Sequence, residues 1–109
     1  MVVDGLWVIE FTGTQIRGSG VVVLINGKLF GGECGFYYVG NYAADGEIVK
    51  ARVMVRNFDP TIPSGFGVPD DYEMDVSMML QGDAMTGTAI VTDHPQYSLG
   101  IKLTKKAEL

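Results

Sequence analysis

Strict alternation of apolar and polar residues is the feature that most limits the fold of this chain. In segment 49–56 the odd positions are all Val or Ala, and Lys or Arg fills three of the even positions. Successive side chains of a β-strand point to opposite faces, so this pattern is typical of a half-buried strand. Segments 4–12, 72–80, 85–91 and 99–103 show the same period. Helical spacing is not sustained anywhere, and the pattern predicts an all-β protein.

Short turn signals separate the predicted strands. Asn26-Gly27 follows the apolar run 21–25 and is the strongest of them, because a type I′ hairpin turn needs positive φ at both residues. Strands that recur every 8–12 residues with tight turns favour a β-sandwich or an up-and-down barrel. We predict one domain, residues 1–109, folded as an antiparallel up-and-down barrel of about eight strands. Nearest-neighbour hairpins dominate the pattern, and closure removes the edge strands that these apolar runs would expose.

Three boundaries within this barrel are predicted from local signals. Gly31, Gly32 and Gly35 predict that the third strand, Lys28 to Phe30, is short or bulged. Three prolines in the segment 57–70 predict a long connection that forms no ladder. The tail 105–109 is predicted to be frayed.

Charge and composition exclude several classes of function. The net charge is -5 and the sequence pI is about 4.6, so the domain repels phosphate backbones and anionic lipid surfaces. We therefore expect neither direct nucleic-acid binding nor membrane binding. The sequence shows no signal-peptide pattern and no apolar run of membrane-spanning length. A single cysteine cannot form an internal disulfide, and a cytoplasmic protein is expected.

No set of residues predicts catalysis or metal binding. The one histidine, His94, lies in a turn and has no recognisable nucleophile or base partner, and Cys34 lacks ligand spacing. The acidic residues of segment 70–75 suggest either a calcium site or cross-strand ion pairs with the basic residues of segment 50–56. Because they alternate on the outer face of a strand, we favour the ion pairs. We expect a non-enzyme with no cofactor and no metal.

Two apolar surfaces remain as candidate binding sites. The first is an outward patch for a dimer or partner, because segment 21–25 is apolar on both faces; its predicted residues are Leu6, Val8, Val22 and Leu24. The alternative is that the long connection covers this patch with Ile62, Phe66 and Val68. The second is the barrel interior, which either is filled by side chains or holds a small apolar ligand. Its predicted lining is Trp7, Phe11, Met74, Met78 and Met85.

The sequence contains a series of short motifs, which are, in chain order, Asp4-Gly5-Leu6-Trp7, Gly18-Ser19-Gly20-Val21-Val22-Val23-Leu24-Ile25-Asn26-Gly27, Gly31-Gly32-Glu33, Tyr38-Val39-Gly40, Ile62-Pro63-Ser64 and Asp71-Tyr72-Glu73. Together they resemble the GrlR family, which is named for a negative regulator of type III secretion genes. The resemblance implies a lipocalin-like barrel of eight strands that dimerises and regulates by binding an activator protein. The characterised member uses four alternating Glu and Asp residues before its fifth strand. Only Asp45 and Glu47 match that stretch here.

The residues and the resemblance together lead to one expected function and one alternative. We expect a non-enzymatic regulatory module, a cytoplasmic homodimer that binds a protein partner such as a transcriptional activator through Asp45 and Glu47. The alternative is a carrier or sensor of a small apolar ligand that is bound inside the barrel.

Overall fold

A computed structural model describes residues 3–13, 17–63 and 71–109. Within them the chain forms eight antiparallel strands and no helix, and each strand pairs with its sequence neighbours to close a barrel. The all-β, eight-stranded, lipocalin-like prediction is therefore confirmed. The strands are β1 Gly5–Thr12, β2 Arg17–Ile25, β3 Lys28–Glu33, β4 Phe36–Asp45, β5 Ile48–Asn57, β6 Tyr72–Gln81, β7 Ala84–Val91 and β8 Ser98–Ala107.

Pairing between β1 and β8 closes the barrel and orders the end of the chain. Trp7 lies opposite Lys105, and Leu6 lies opposite Ala107. The prediction of a frayed tail from residue 105 was wrong, because this pairing continues β8 to Ala107. The ammonium group of Lys105 lies 5.6 Å from the centre of the Trp7 ring, and the Lys105 side chain is only 8% exposed. Its alkyl chain thus covers the indole while its charge interacts with the ring.

Tight turns join the strands at one end of the barrel, which we call the lower end. Asn26 and Gly27 have φ values of 50° and 79°, as the predicted type I′ turn requires. Gly46 and Gly82 adopt positive φ in the two other turns at this end. The third strand is longer than predicted, because Gly31 and Gly32 stay in register with β2 and β4 up to Glu33.

Fully buried side chains fill the core near the lower end. They include Trp7, Leu24, Val49 and Met85. The indole nitrogen of Trp7 donates a hydrogen bond to the Val3 carbonyl, 3.0 Å away, so its one polar group is satisfied. The predicted inward faces of β5, β6, β7 and β8 all face this core.

The predicted outward positions of Val22 and Leu24 were wrong. Val22 is 2% exposed and Leu24 is 0% exposed, because both point into the core. Residues directly opposite in a ladder share a face, and Val22 lies opposite the inward Trp7. Within segment 21–25, Val21, Val23 and Ile25 point outward.

The acidic side chains of β6 pair with arginines of β5. Arg52 forms ion pairs with Glu73 at 3.1 Å and with Asp75 at 2.8 Å, and Arg56 pairs with Asp71 at 3.3 Å. These contacts confirm the cross-strand interpretation. Asp70 lies outside the described residues.

Candidate functional site

A strip of apolar side chains crosses the outer face of β1–β5. Strand register places Leu6, Val23, Phe30, Val39 and Met54 side by side in one row. Neighbouring strands are about 4.8 Å apart, so this row extends about 19 Å across the barrel. Phe30 is 44% exposed and Val39 is 41% exposed.

A second, shorter row lies beside the first. Val8 pairs with Val21, and Gly32 next to them pairs with Tyr37. The ring of Phe58 stacks on Tyr37 with 6.4 Å between the ring centres. We call the two rows together the outer patch; its residues are Leu6, Val8, Val21, Val23, Phe30, Tyr37, Val39 and Met54.

The outer patch lies where the sequence predicted an apolar surface, but with partly different residues. Leu6 and Val8 belong to it, whereas Val22 and Leu24 do not. The sequence missed its extension over β3–β5. The hairpin at Asn26-Gly27 contained the signal, because it pairs Val23 with Phe30 and so places both on one face.

Of the three residues predicted to cover the outer patch, only Ile62 lies within the described residues. Ile62 packs against the core, and so it does not lie on the outer patch. Its carbonyl accepts a hydrogen bond from the Asn57 side chain at 2.8 Å, and its backbone N–H donates to the Asp59 carbonyl. Phe66 and Val68 lie outside the described residues.

Asp45 and Glu47 flank the turn between β4 and β5 at the lower end. Both are exposed, and Gly46 between them has a φ of 59°. The Glu47 carbonyl accepts a hydrogen bond of 2.7 Å from the Leu80 N–H, which ties the turn to β6. The two carboxylates are therefore held on a defined backbone and face water. Asp83, in the next turn at this end, is also exposed.

The upper half of the barrel encloses a cavity of about 260 Å³. Of the predicted lining residues, Phe11, Met74 and Met78 line it. Trp7 and Met85 do not, because both belong to the packed lower half. Side chains thus fill the lower half of the barrel, whereas the upper half contains the cavity.

Two polar side chains of neighbouring strands face the cavity. The Tyr38 hydroxyl donates a hydrogen bond to Oε1 of Glu33. Burial raises the pKa of Glu33, and the Tyr38 hydrogen bond partly offsets that rise. Burial, followed by the Glu33 carboxylate, raises the pKa of Tyr38, so its hydroxyl keeps its proton.

The sequence patterns did not identify Glu33 as a cavity residue, although the register of the Asn26-Gly27 hairpin places it on the inward face. Leu29 lies opposite the inward Leu24, so Gly31 and Glu33 follow on the same inward face. Arg17 also borders the cavity, at the rim of the upper end, with its residue exposed.

The remaining candidate groups stand apart from these surfaces. His94 is exposed in the β7–β8 turn with its ring 6.1 Å from that of Tyr97, and Cys34 is an exposed free thiol. Within residues 3–13, 17–63 and 71–109, no three acidic, His or Cys side chains are grouped to hold a metal ion. The described part of the chain also contains no helix of the length and apolarity needed to cross a membrane.

Comparison with models of protein families gives a match. A family model described as "T3SS negative regulator, GrlR" matches residues 2–106. None of the curated proteins that were compared matches the chain. The family match covers β1 to β7 and β8 up to residue 106, and so it includes both the outer patch and the cavity.

Proposed function

Because the chain belongs to the GrlR family of negative regulators of type III secretion systems, we propose that it represses through protein–protein contacts, as a cytoplasmic homodimer. The observation that carries this proposal is the outer patch. Soluble monomers seldom leave a contiguous apolar surface of this kind uncovered. The proposal is non-enzymatic, since repression by sequestering a partner needs surfaces and no chemical step.

The outer patch supports the dimer by its shape and composition. Its central row consists of aliphatic, aromatic and thioether side chains on a rigid sheet, which suit the dry centre of a homodimer interface. The outer faces of β6 and β7 are less apolar, because Asp75, Ser77, Thr86 and Thr88 lie there beside the exposed Met79 and Ile90. Two copies would therefore pack with the same patches facing each other in a two-fold arrangement.

Light scattering coupled to size-exclusion chromatography tests the dimer. We expect the chain to elute at twice its monomer mass of 11.8 kDa. Val39→Lys should produce monomers, because it places a charge in the patch centre. Thr88→Lys, an exposed outward residue of β7, is the matched control and should stay dimeric. A monomeric wild-type chain at micromolar concentration excludes the dimer.

Partner binding is proposed for the Asp45–Glu47 turn. The family resemblance assigns acidic residues of this hairpin to recognition of an activator, and both carboxylates here are exposed on an ordered turn. A net charge of -5 would additionally favour approach of a basic partner. The proposed partner is a transcriptional activator of the secretion genes.

Capture and reporter assays test this surface together. Tagged wild-type chain should retain the activator from a lysate of its host, and its expression should lower transcription of type III secretion genes. Reversing both charges, Asp45→Lys with Glu47→Lys, should weaken both effects. Glu10→Lys with Asp93→Lys makes the same change in charge elsewhere on the exposed surface and is the control. Equal capture by the two double variants rules out the turn as the binding surface.

A further inference from the structure

The upper cavity has a carboxylate in a mostly apolar wall. The Tyr38 hydroxyl donates a hydrogen bond to Oε1 of Glu33. A carboxylate offers about four acceptor positions on two oxygens. Glu33 is half-buried and lines the cavity, so its side chain has acceptor capacity beyond the Tyr38 bond that a molecule in the cavity could use.

The charge near the cavity favours a donor over an anion. An anionic headgroup placed against Glu33 would meet a like charge at low dielectric, where repulsion is strong. Arg17 borders the cavity as well, but its exposed position leaves its charge screened by water. The group best matched to Glu33 is therefore an amine or a hydroxyl.

The volume limits the size of the occupant. An apolar cavity of about 150 Å³ accommodates benzene, so the 260 Å³ here corresponds to about ten heavy atoms. Long-chain fatty acids exceed this size. Most of the lining is apolar, with Phe11, Met74 and Met78 among its walls, and thioethers adapt to ligands of different shapes.

We propose that the upper cavity binds one small apolar molecule of about ten heavy atoms, whose amine or hydroxyl donates a hydrogen bond to Glu33. This ligand site goes beyond the proposed regulatory function and does not depend on it. The binding step is non-covalent. Ligand binding in the cavity would be measured on the purified protein alone, so a negative result would leave the protein-binding proposal unaffected.

Three ligands with the same alkyl chain length test the headgroup preference. Purified protein is titrated with octylamine, 1-octanol and octanoate by isothermal calorimetry, and stoichiometry is checked by native mass spectrometry. We expect octylamine and octanol to bind one per chain, and octanoate to bind at least about tenfold more weakly than octylamine, since hydrogen bonds to charged groups are the stronger ones. Absence of binding by the amine and the alcohol, or tighter binding of octanoate, overturns the proposal.

Two variants test the position of the ligand. Glu33→Gln should weaken octylamine about tenfold by removing the acceptor charge, whereas Glu10→Gln, on the outer face of β1, should leave it unchanged. Val76→Phe should block all three ligands, because Val76 lines the cavity. If Val76→Phe does not fold, the Glu33→Gln titration still decides. Undiminished octylamine affinity in Glu33→Gln refutes the assigned contact.

Discussion

Of the glycines in the described strands, Gly87 has the least room for a side chain, and this leads to a quantitative prediction about stability. A Cβ built on Gly87 would lie 1.9 Å from the Ser77 carbonyl oxygen and 2.7 Å from Cα of Met78. Both contacts are far inside van der Waals distance, and both involve backbone that cannot rotate away. Gly87→Ala must therefore push β6 and β7 apart at the Met78–Gly87 pair.

The cost follows from the hydrogen bonds that this separation weakens. Loss of one or two buried backbone hydrogen bonds costs about 3 kcal/mol in the free energy of unfolding. The total free energy of unfolding of a domain of this size is about 5–15 kcal/mol, so this loss is a large fraction of it. At roughly 4 °C per kcal/mol, the melting temperature should fall by about 12 °C.

Gly100→Ala is the matched control for this experiment. Its added Cβ would meet only the Thr12 carbonyl oxygen at 3.7 Å, an ordinary contact. Alanine also loses less conformational entropy on folding, so this variant should be as stable as the parent or up to about 1 kcal/mol more stable. Urea unfolding followed by circular dichroism measures both variants. A Gly87→Ala loss below about 1 kcal/mol, or an equal loss in the control, refutes the close-approach argument.

Two further variants test electrostatics and packing. The Asp4 carboxylate accepts hydrogen bonds from the Tyr42 hydroxyl and from the Asn26 N–H, and these bonds lower its pKa. Its contribution to stability is therefore present above about pH 4 and is lost as the pH falls through the lowered pKa. The melting temperatures of wild type and Asp4→Asn should thus differ most near pH 7 and converge in acid; a constant difference contradicts this. Leu24→Ala should cost about 2–5 kcal/mol in urea unfolding and Ile25→Ala less than about 1 kcal/mol, because Leu24 is 0% exposed and Ile25 is 38% exposed. Equal losses would contradict the observed faces of β2.

Local sequence was sufficient to predict the fold wherever the two faces of a strand differ. In β5 the four inward residues Val49, Ala51, Val53 and Val55 alternate with Lys50, Arg52 and Met54, and the structure buries the expected set. In segment 21–25 both faces are apolar, so alternation could not distinguish inside from outside. The pairing with Trp7 across β1 decides it, and that is a contact between strands.

The candidate site was predictable to a smaller extent for the same reason. Leu6 and Val8 could be placed outside because Trp7 alternates with them, but the outer patch exists only through the register of five strands. Phe11, Met74 and Met78 could be placed inside from their period. The division of the barrel into a packed and a hollow half depends on side-chain volumes along its axis, and periodicity contains no information on those.

Pairing of β1 with β8 has a consequence for how the chain must fold. The closing ladder joins the first strand to the last, which is the largest sequence separation available, and long-range pairing of this kind slows folding. Until β8 is in place, β1 and β7 each present an unpaired edge, and Trp7 lacks the Lys105 side chain that covers it. A nascent chain in which β8 has not yet paired would thus carry two unpaired strand edges and would be prone to aggregation until the barrel closes.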